Sequence, residues 1–298
     1  MTAPWSAVVV NYEAGDALTE CVRSLRADDS AGAPPEIVVV DNGSRDGSVT
    51  RLQHAFPDVV VVDPHTNVGY AGAANRGTAR TTAPVVAVCN ADLVLAPGAG
   101  AAMLAAFDDP TVGAVGPCVR NTDGSLYPSA RRDVGLVDAT GHAVLGLVWS
   151  GNPFTRRYRE LDADPTVARD VDWASGAALW LRRAAVDGIG GWDEGFFMYL
   201  EDVDVGWRLR RAGWRIRYEP AAEVTHVGGL STAQHRSRMI VEHHRSTYRF
   251  ASKRWRGPKR LLLVPTAAAL AVRAALSVLF TVASENLSAR RNRPNMTR

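Results

Sequence analysis

Cysteine is scarce: Cys21, Cys89 and Cys118 are the only three in 298 residues. They are widely spaced and form no CxxC pattern, which argues against a disulfide framework or a zinc site and for a reducing compartment. The dinucleotide fingerprint GxGxxG is missing after the first apolar stretch, and no GxxxxGK(S/T) loop occurs anywhere. Hydride transfer with a nicotinamide and P-loop phosphoryl transfer are thereby disfavoured. The opening MTAPWSAVVVNY lacks a basic n-region and its apolar run is too short for a signal peptide, so the cytosolic side is expected. The net charge of +3 is too small to argue for a nucleic-acid partner.

What is present is an ordinary globular composition, 46% hydrophobic and 22% charged, long enough for one large or two small domains. Residues 6–10, 36–40, 59–62 and 85–88 are short β-branched runs without alternation, as in strands buried on both faces. Residues 18–25, 48–56 and 72–79 between them suit helices. Strand alternating with helix predicts an α/β fold with a mostly parallel central sheet and helices on both faces. Ligands bind beyond the carboxyl ends of such strands, and polar residues sit there: Asn11, Asp41 and Asp92. Glycines ahead of the third helix, in NVGYAGAAN (67–75), offer backbone N–H groups to a phosphate, or simply pack a tight loop.

Residues 117–172 are looser, with Arg131, Arg132, Arg156 and Arg157 in turn-rich sequence that suits a substrate loop or lid. Strand-like sequence resumes at 173–181, and a further strand at 218–224 leads into Thr225-His226-Val227-Gly228-Gly229. Between them, GGWDEGFFMYLEDVDVGWRLRRAGWRI (190–216) places Glu201, Asp202 and Asp204 directly after an aromatic run, with a helical pattern at Val205, Leu209 and Ala212 and Gly213 as its cap. Acids in a first helical turn suit the macrodipole, which accounts for one of them. Three beside an apolar wall, where desolvation raises a carboxyl pKa, fit a general base. Asp92 ends a buried strand and is the first candidate ligand for Mg2+ or Mn2+, with His226 a second; a turn-forming Asp and a hydrogen-bonded His are the plainer alternatives.

Residues 261–283 carry one charge, Arg273, and follow a basic cluster at Lys253, Arg254, Arg256, Lys259 and Arg260; Arg290, Arg291, Arg293 and Arg298 close the chain. A helix lying in an anionic headgroup region fits this better than a spanning or a packed soluble helix.

In order, VVVNY, VVVDNGSRDGS, NVGYAGAANRG, CNAD, the 190–214 stretch and HVGG resemble family 2 glycosyltransferases of the GT-A fold, and within them the rhamnosyltransferase-like branch. The resemblance covers roughly residues 5–250. It implies a GT-A catalytic domain at 1–250 and a helical, membrane-interfacial extension at 251–298. It implies that Asp41 contacts the donor's base with Asn11 and Ser44 nearby, and that Asn67, Gly69 and Asn75 line the nucleotide pocket. Asn90-Ala91-Asp92 stands where the family has Asp-x-Asp, so one carboxylate is lost. Asp92 would hold the Mg2+ or Mn2+ cofactor across the diphosphate and His226 would complete the shell. Asp202 matches the catalytic base and Glu201 would help position it or the acceptor, while Trp192, Asp193 and Arg131 fall on the acceptor side. The implied activity is inverting transfer of L-rhamnose from dTDP-L-rhamnose to a polyprenyl-diphosphate-linked N-acetylglucosamine for cell-wall polysaccharide, by a peripheral enzyme on the cytoplasmic membrane face, an oligomer being compatible. A UDP-sugar in another surface-polysaccharide pathway and a non-catalytic scaffold are the alternatives. A nucleotidyltransferase would need a Gly-rich basic loop where this chain has Asn11-Tyr12-Glu13.

Overall fold

In the computed structural model, residues 3–133, 151–228 and 236–291 are described, with Leu145 and Trp149. The N-terminal half alternates β1 (Ser6–Asn11), α1 (Ala17–Ala27), β2 (Glu36–Asp41), α2 (Ser48–Ala55), β3 (Val60–Val62), α3 (Gly69–Thr78) and β4 (Val85–Asn90). Then come β5 (Leu93–Leu95), α4 (Ala99–Ala105), β6 (Val112–Arg120), β7 (Leu126–Tyr127), β8 (Ala130–Arg131), α5 (Pro153–Tyr158), β9 (Arg169–Val171), β10 (Trp173–Ala174) and β11 (Ala178–Arg182). The rest is α6 (Arg183–Gly188), α7 (Glu201–Arg211), β12 (Arg215–His226), α8 (Arg236–Arg254), a 3-10 turn at Gly257–Leu262 and α9 (Leu263–Arg291).

The main sheet runs β3-β2-β1-β4-β11-β6-β12-β5, with β7 beside β6 and β9 beside β12. Its first four strands are parallel, as expected; β11 then enters antiparallel between β4 and β6, and β12 returns parallel to β6. The uninterrupted apolar runs have a plain cause. Along β1, Ala7 and Val9 point into one core with Leu18, Leu25 and Leu52, whereas Val8 points into the other with Tyr70, Val205 and Leu209. Helices α1, α2 and α4 cover the first face and α3, α6 and α7 the second. Each fully buried valine contributes about 1.5–3 kcal/mol, so polar residues are driven to the strand ends.

Two local departures from the sequence reading matter. The stretch read as one strand at 173–181 breaks into β10 and β11 around Ser175-Gly176-Ala177. Helix α3 starts at Gly69, three residues early, because the Asn67 side chain accepts the Gly69 N–H at 3.0 Å. Helix α8 passes through residue 250 unbroken, and its last turns are pinned to earlier parts of the chain. Arg249 and Lys253 pair with Asp193 at 2.7 and 2.6 Å, Lys253 with Asp204 at 2.5 Å, and Arg254 with Asp133. Residues 134–144, 146–148 and 150 of the loose stretch, and Arg293 and Arg298, lie outside the described residues.

Candidate active site

The strand registers set Asn11 opposite Asp41 and Val10 opposite Asn90, so the polar ends of β1, β2 and β4 lie side by side. Over them opens a cavity of about 420 Å³. Of the residues singled out in the sequence, Asn67, Gly69, Asn90, Asp92, Glu201, Asp202 and His226 are on its wall.

Asp92 and His226 are brought together by antiparallel pairing of β5 with β12, in which His226 faces Leu93. The Val227 N–H also donates to the Asp92 carbonyl at 3.0 Å. His226 Nε2 then lies 3.0 Å from Asp92 Oδ1 and 3.0 Å from the Asn90 amide nitrogen, while Asp92 Oδ2 accepts the Gly228 N–H at 3.0 Å. One carboxylate oxygen and one imidazole nitrogen side by side on a cavity wall are a fitting partial donor set for a divalent cation. Among the described residues no group of three or more His, Cys, Asp or Glu side chains is placed to hold a metal. A cation here would therefore take its remaining ligands from substrate and water.

The acidic trio divides. Asp204 is fully buried and bound to Arg208 at 2.7 Å and to Lys253, so it holds the fold together. Glu201 and Asp202 face the cavity from the first turn of α7. Burial raises both carboxyls above their ordinary values of 4.5 and 3.8, and the Asp202 charge raises Glu201 further. Asp202 is the better placed of the two to carry charge. Its oxygens accept N–H bonds from Gly176 at 2.9 Å and Val203 at 2.8 Å, and the Arg131 cation also favours its charged form. Glu201 Oε2 is buried without a hydrogen-bond partner, which favours the neutral carboxyl. The two preceding residues, Tyr199 and Leu200, hold left-handed backbone at φ 68° and 62°. Such strain in bulky residues persists only where surroundings enforce it, and it clusters at functional sites.

Several candidates lie off the wall. Asn11 is fully buried beneath it, its amide donating to Asp41 at 2.8 Å and to Ser44 and Ser48 at 3.1 Å, while Asp41 accepts the Ser44 N–H and hydroxyl. These three form one braced loop, with Asn42 reaching the cavity beside them. Asn75 instead clamps α3 to the Trp192 backbone, donating and accepting at 2.9 Å. None of the acceptor-side candidates lines the cavity. Trp192 is packed edge-on to Tyr70, 5.8 Å between centroids. Asp193 is held by Arg249 and Lys253; partial burial pushes its carboxyl up, but those donors outweigh it and hold it at about 2. Arg131 sits in a box of Tyr127, Tyr158 and Trp173, 5.3–5.7 Å from their ring centres.

Sequence reasoning missed the walls made by Tyr127, Tyr158, Ser175, Gly176 and Ala177, and by Arg238, Met239 and His243 of α8. The Ser-Gly-Ala interruption between two apolar runs was a usable signal for the Gly176 turn. The α8 residues carry no local pattern that places them in a pocket.

A family model described as Glycosyl transferase family 2 matches residues 6–184. The chain is 39% identical over 279 residues, 88% of its length and 90% of the relative's, to the N-acetylglucosaminyl-diphospho-decaprenol L-rhamnosyltransferase of Mycobacterium tuberculosis (strain ATCC 25618 / H37Rv). Its fold is similar to that of a mannosyltransferase from Pyrobaculum calidifontis in complex with GDP-Man and Mn2+, with TM-score 0.58 and 20% identity, covering 97% of this chain and 81% of the other. A second solved likeness is GalNAc-T7 with UDP, GalNAc and Mn2+, with TM-score 0.55 and 16% identity over 76% of this chain and 44% of that one.

Proposed function

The chain belongs to glycosyl transferase family 2 and is a glycosyltransferase, and from that premise we propose that it moves L-rhamnose from dTDP-L-rhamnose to a polyprenyl-diphosphate-linked N-acetylglucosamine with inversion. The name of the relative that matches 88% of this chain and 90% of its own length supports the donor and acceptor classes. The observation that carries the chemistry is the buried acid pair on the cavity wall, in which Asp202 accepts two backbone N–H groups and Glu201 Oε2 has no donor.

Asp202 takes the proton from an acceptor hydroxyl, which attacks the anomeric carbon from the face opposite the leaving nucleoside diphosphate. One displacement by one base inverts the centre. Its raised pKa makes Asp202 a better proton acceptor than a surface aspartate, and the Gly176 N–H fixes the carboxylate's direction. Asp92 and His226 would hold Mg2+ or Mn2+, a reading supported by their pairing at 3.0 Å and by the Mn2+ in the titles of both solved likenesses. Bound there, the cation supplies Lewis-acid stabilisation of charge growing on the diphosphate. The Asp41–Ser44 loop, braced by Asn11, would face the donor's base. The exposed helix α9 would keep the enzyme at the cytoplasmic membrane face, where a polyprenyl-linked acceptor waits.

The test is turnover of synthetic polyprenyl-diphospho-N-acetylglucosamine with each dTDP- and UDP-sugar in parallel, with and without EDTA, for wild type and Asp202→Asn. Rhamnose transfer should depend on Mg2+ or Mn2+, and the asparagine variant, which keeps the Gly176 hydrogen bond, should lose kcat by about 10²–10⁴. Transfer from a different sugar nucleotide alone would move the enzyme to another polysaccharide. Full activity in Asp202→Asn would remove the base from its role.

A further inference from the structure

We propose that Arg238 binds the diphosphate of the lipid-linked acceptor, a role that rests on the acceptor class proposed above. Three carboxylates, Asp92, Glu201 and Asp202, line the cavity, and among the described residues Arg238 is the one arginine or lysine on its wall. Both substrates bring a diphosphate, so the cavity needs positive charge at two places. One would be the cation held by Asp92, just beyond β4, and His226, at the end of β12. The other falls on the wall made by α8, from which Arg238, Met239 and His243 reach the cavity.

The setting of Arg238 differs from that of the basic residues further along α8. Arg245 pairs with Glu242, Arg249 and Lys253 with Asp193, and Arg254 with Asp133. Arg238 is exposed and has no carboxylate partner among the described residues; its guanidinium lies over the Phe197 ring, 4.9 Å from the centroid. Phe197 is itself anchored, its carbonyl accepting the Tyr70 N–H at 2.9 Å. A planar cation resting on a fixed aromatic face keeps its N–H fork open for phosphate oxygens. Direction favours the acceptor over the donor. Helix α8 runs through the 3-10 turn into α9, and the two helices pack together. A polyprenyl chain lying along the apolar α9 therefore brings its diphosphate to the α8 wall, whereas the donor's diphosphate belongs beside Asp92.

The experiment uses full-length Arg238→Gln and Arg238→Lys with two acceptors: polyprenyl-diphospho-N-acetylglucosamine, and octyl β-N-acetylglucosaminide, which has no diphosphate. The glutamine variant should raise KM for the diphosphate acceptor about tenfold to a hundredfold, as for a lost hydrogen bond to a charged group. The lysine variant should recover part of this. KM for the sugar nucleotide and for the octyl acceptor should stay within about twofold. If instead the sugar-nucleotide KM rises and free dTDP binds more weakly, the arginine serves the donor and the proposal is overturned, as it is if no KM changes. Failure of the wild type on both acceptors would sink the functional reading alone. Calorimetric binding of farnesyl diphosphate then decides Arg238: weaker binding in Arg238→Gln upholds the site, equal binding removes it.

Discussion

Glu201 and Asp202 are neighbours in sequence with the same chemistry, yet the fold gives them different surroundings. The difference lies in donors: Asp202 has the Gly176 and Val203 N–H groups, and Glu201 Oε2 has none. Because folding raises both carboxyl pKa values, the folded chain binds more protons than the unfolded one between the ordinary carboxylate range and the raised values. Stability is then full below the unfolded pKa and falls as pH rises through that window. In Glu201→Gln, this loss between mildly acidic and neutral pH should shrink, measured as urea midpoints across pH; an unchanged slope would show that Glu201 ionises freely in the folded protein. Asp92 and His226 were legible from the sequence because each ends a strand in polar residues. Trp192 and Arg131 lie off the cavity wall, which the sequence did not show because an aromatic or arginine near a motif gives no local sign of whether it is buried. Burial is decided by what packs on it.

At the scale of elements, the catalytic loop depends on close backbone approach to α3. A Cβ on Gly69, at φ +76°, would sit 2.3 Å from the Phe197 carbonyl oxygen, a backbone atom that cannot turn away. A Cβ on Gly77 would sit 2.2 Å from a Val8 methyl and 3.0 Å from a Val40 methyl, inside the sheet core. Both alanine variants should lose about 1–3 kcal/mol of stability by overpacking or strain. They should differ in catalysis. Gly69→Ala displaces the Phe197 loop and the Glu201–Asp202 turn behind it, so kcat should fall well beyond the stability loss, whereas Gly77→Ala should keep kcat among folded molecules. Equal kcat in the two variants would argue that the loop position is not set by α3. The repeated glycines of 67–75 were visible in the sequence; that Gly69 serves this contact, as well as lining the cavity, required the partner loop to be in place.

At the scale of the molecule, the segment Gly257–Glu285 is long and apolar enough to cross a membrane: an 18-residue window within it has mean hydropathy 1.9 and none of it is buried. Val272, Leu276, Leu279 and Phe280 are all more than 60% exposed, and their spacing puts them on one helical face. A one-sided stripe following a basic turn suits a helix lying in the headgroup layer. Leu276→Glu with Phe280→Glu should reduce co-sedimentation with phosphatidylglycerol vesicles at least about tenfold, since each buried apolar side chain contributes about 1.5–3 kcal/mol. Turnover of a short soluble acceptor should not change. Undiminished vesicle binding would mean that this face meets something other than lipid.

The sequence by itself determined the layered α/β fold, the polar strand ends and the position of the acid pair, because burial on two faces and a helix start leave local signatures within a few residues. Tertiary structure alone decided three other things: that β5 pairs with β12 and so joins His226 to Asp92, that Gly176 donates its N–H to Asp202, and that α8 returns to wall the cavity with Arg238. Each depends on segments distant in sequence meeting in one register. Such pairings are chosen by the packing of the whole chain, so no short stretch carries them.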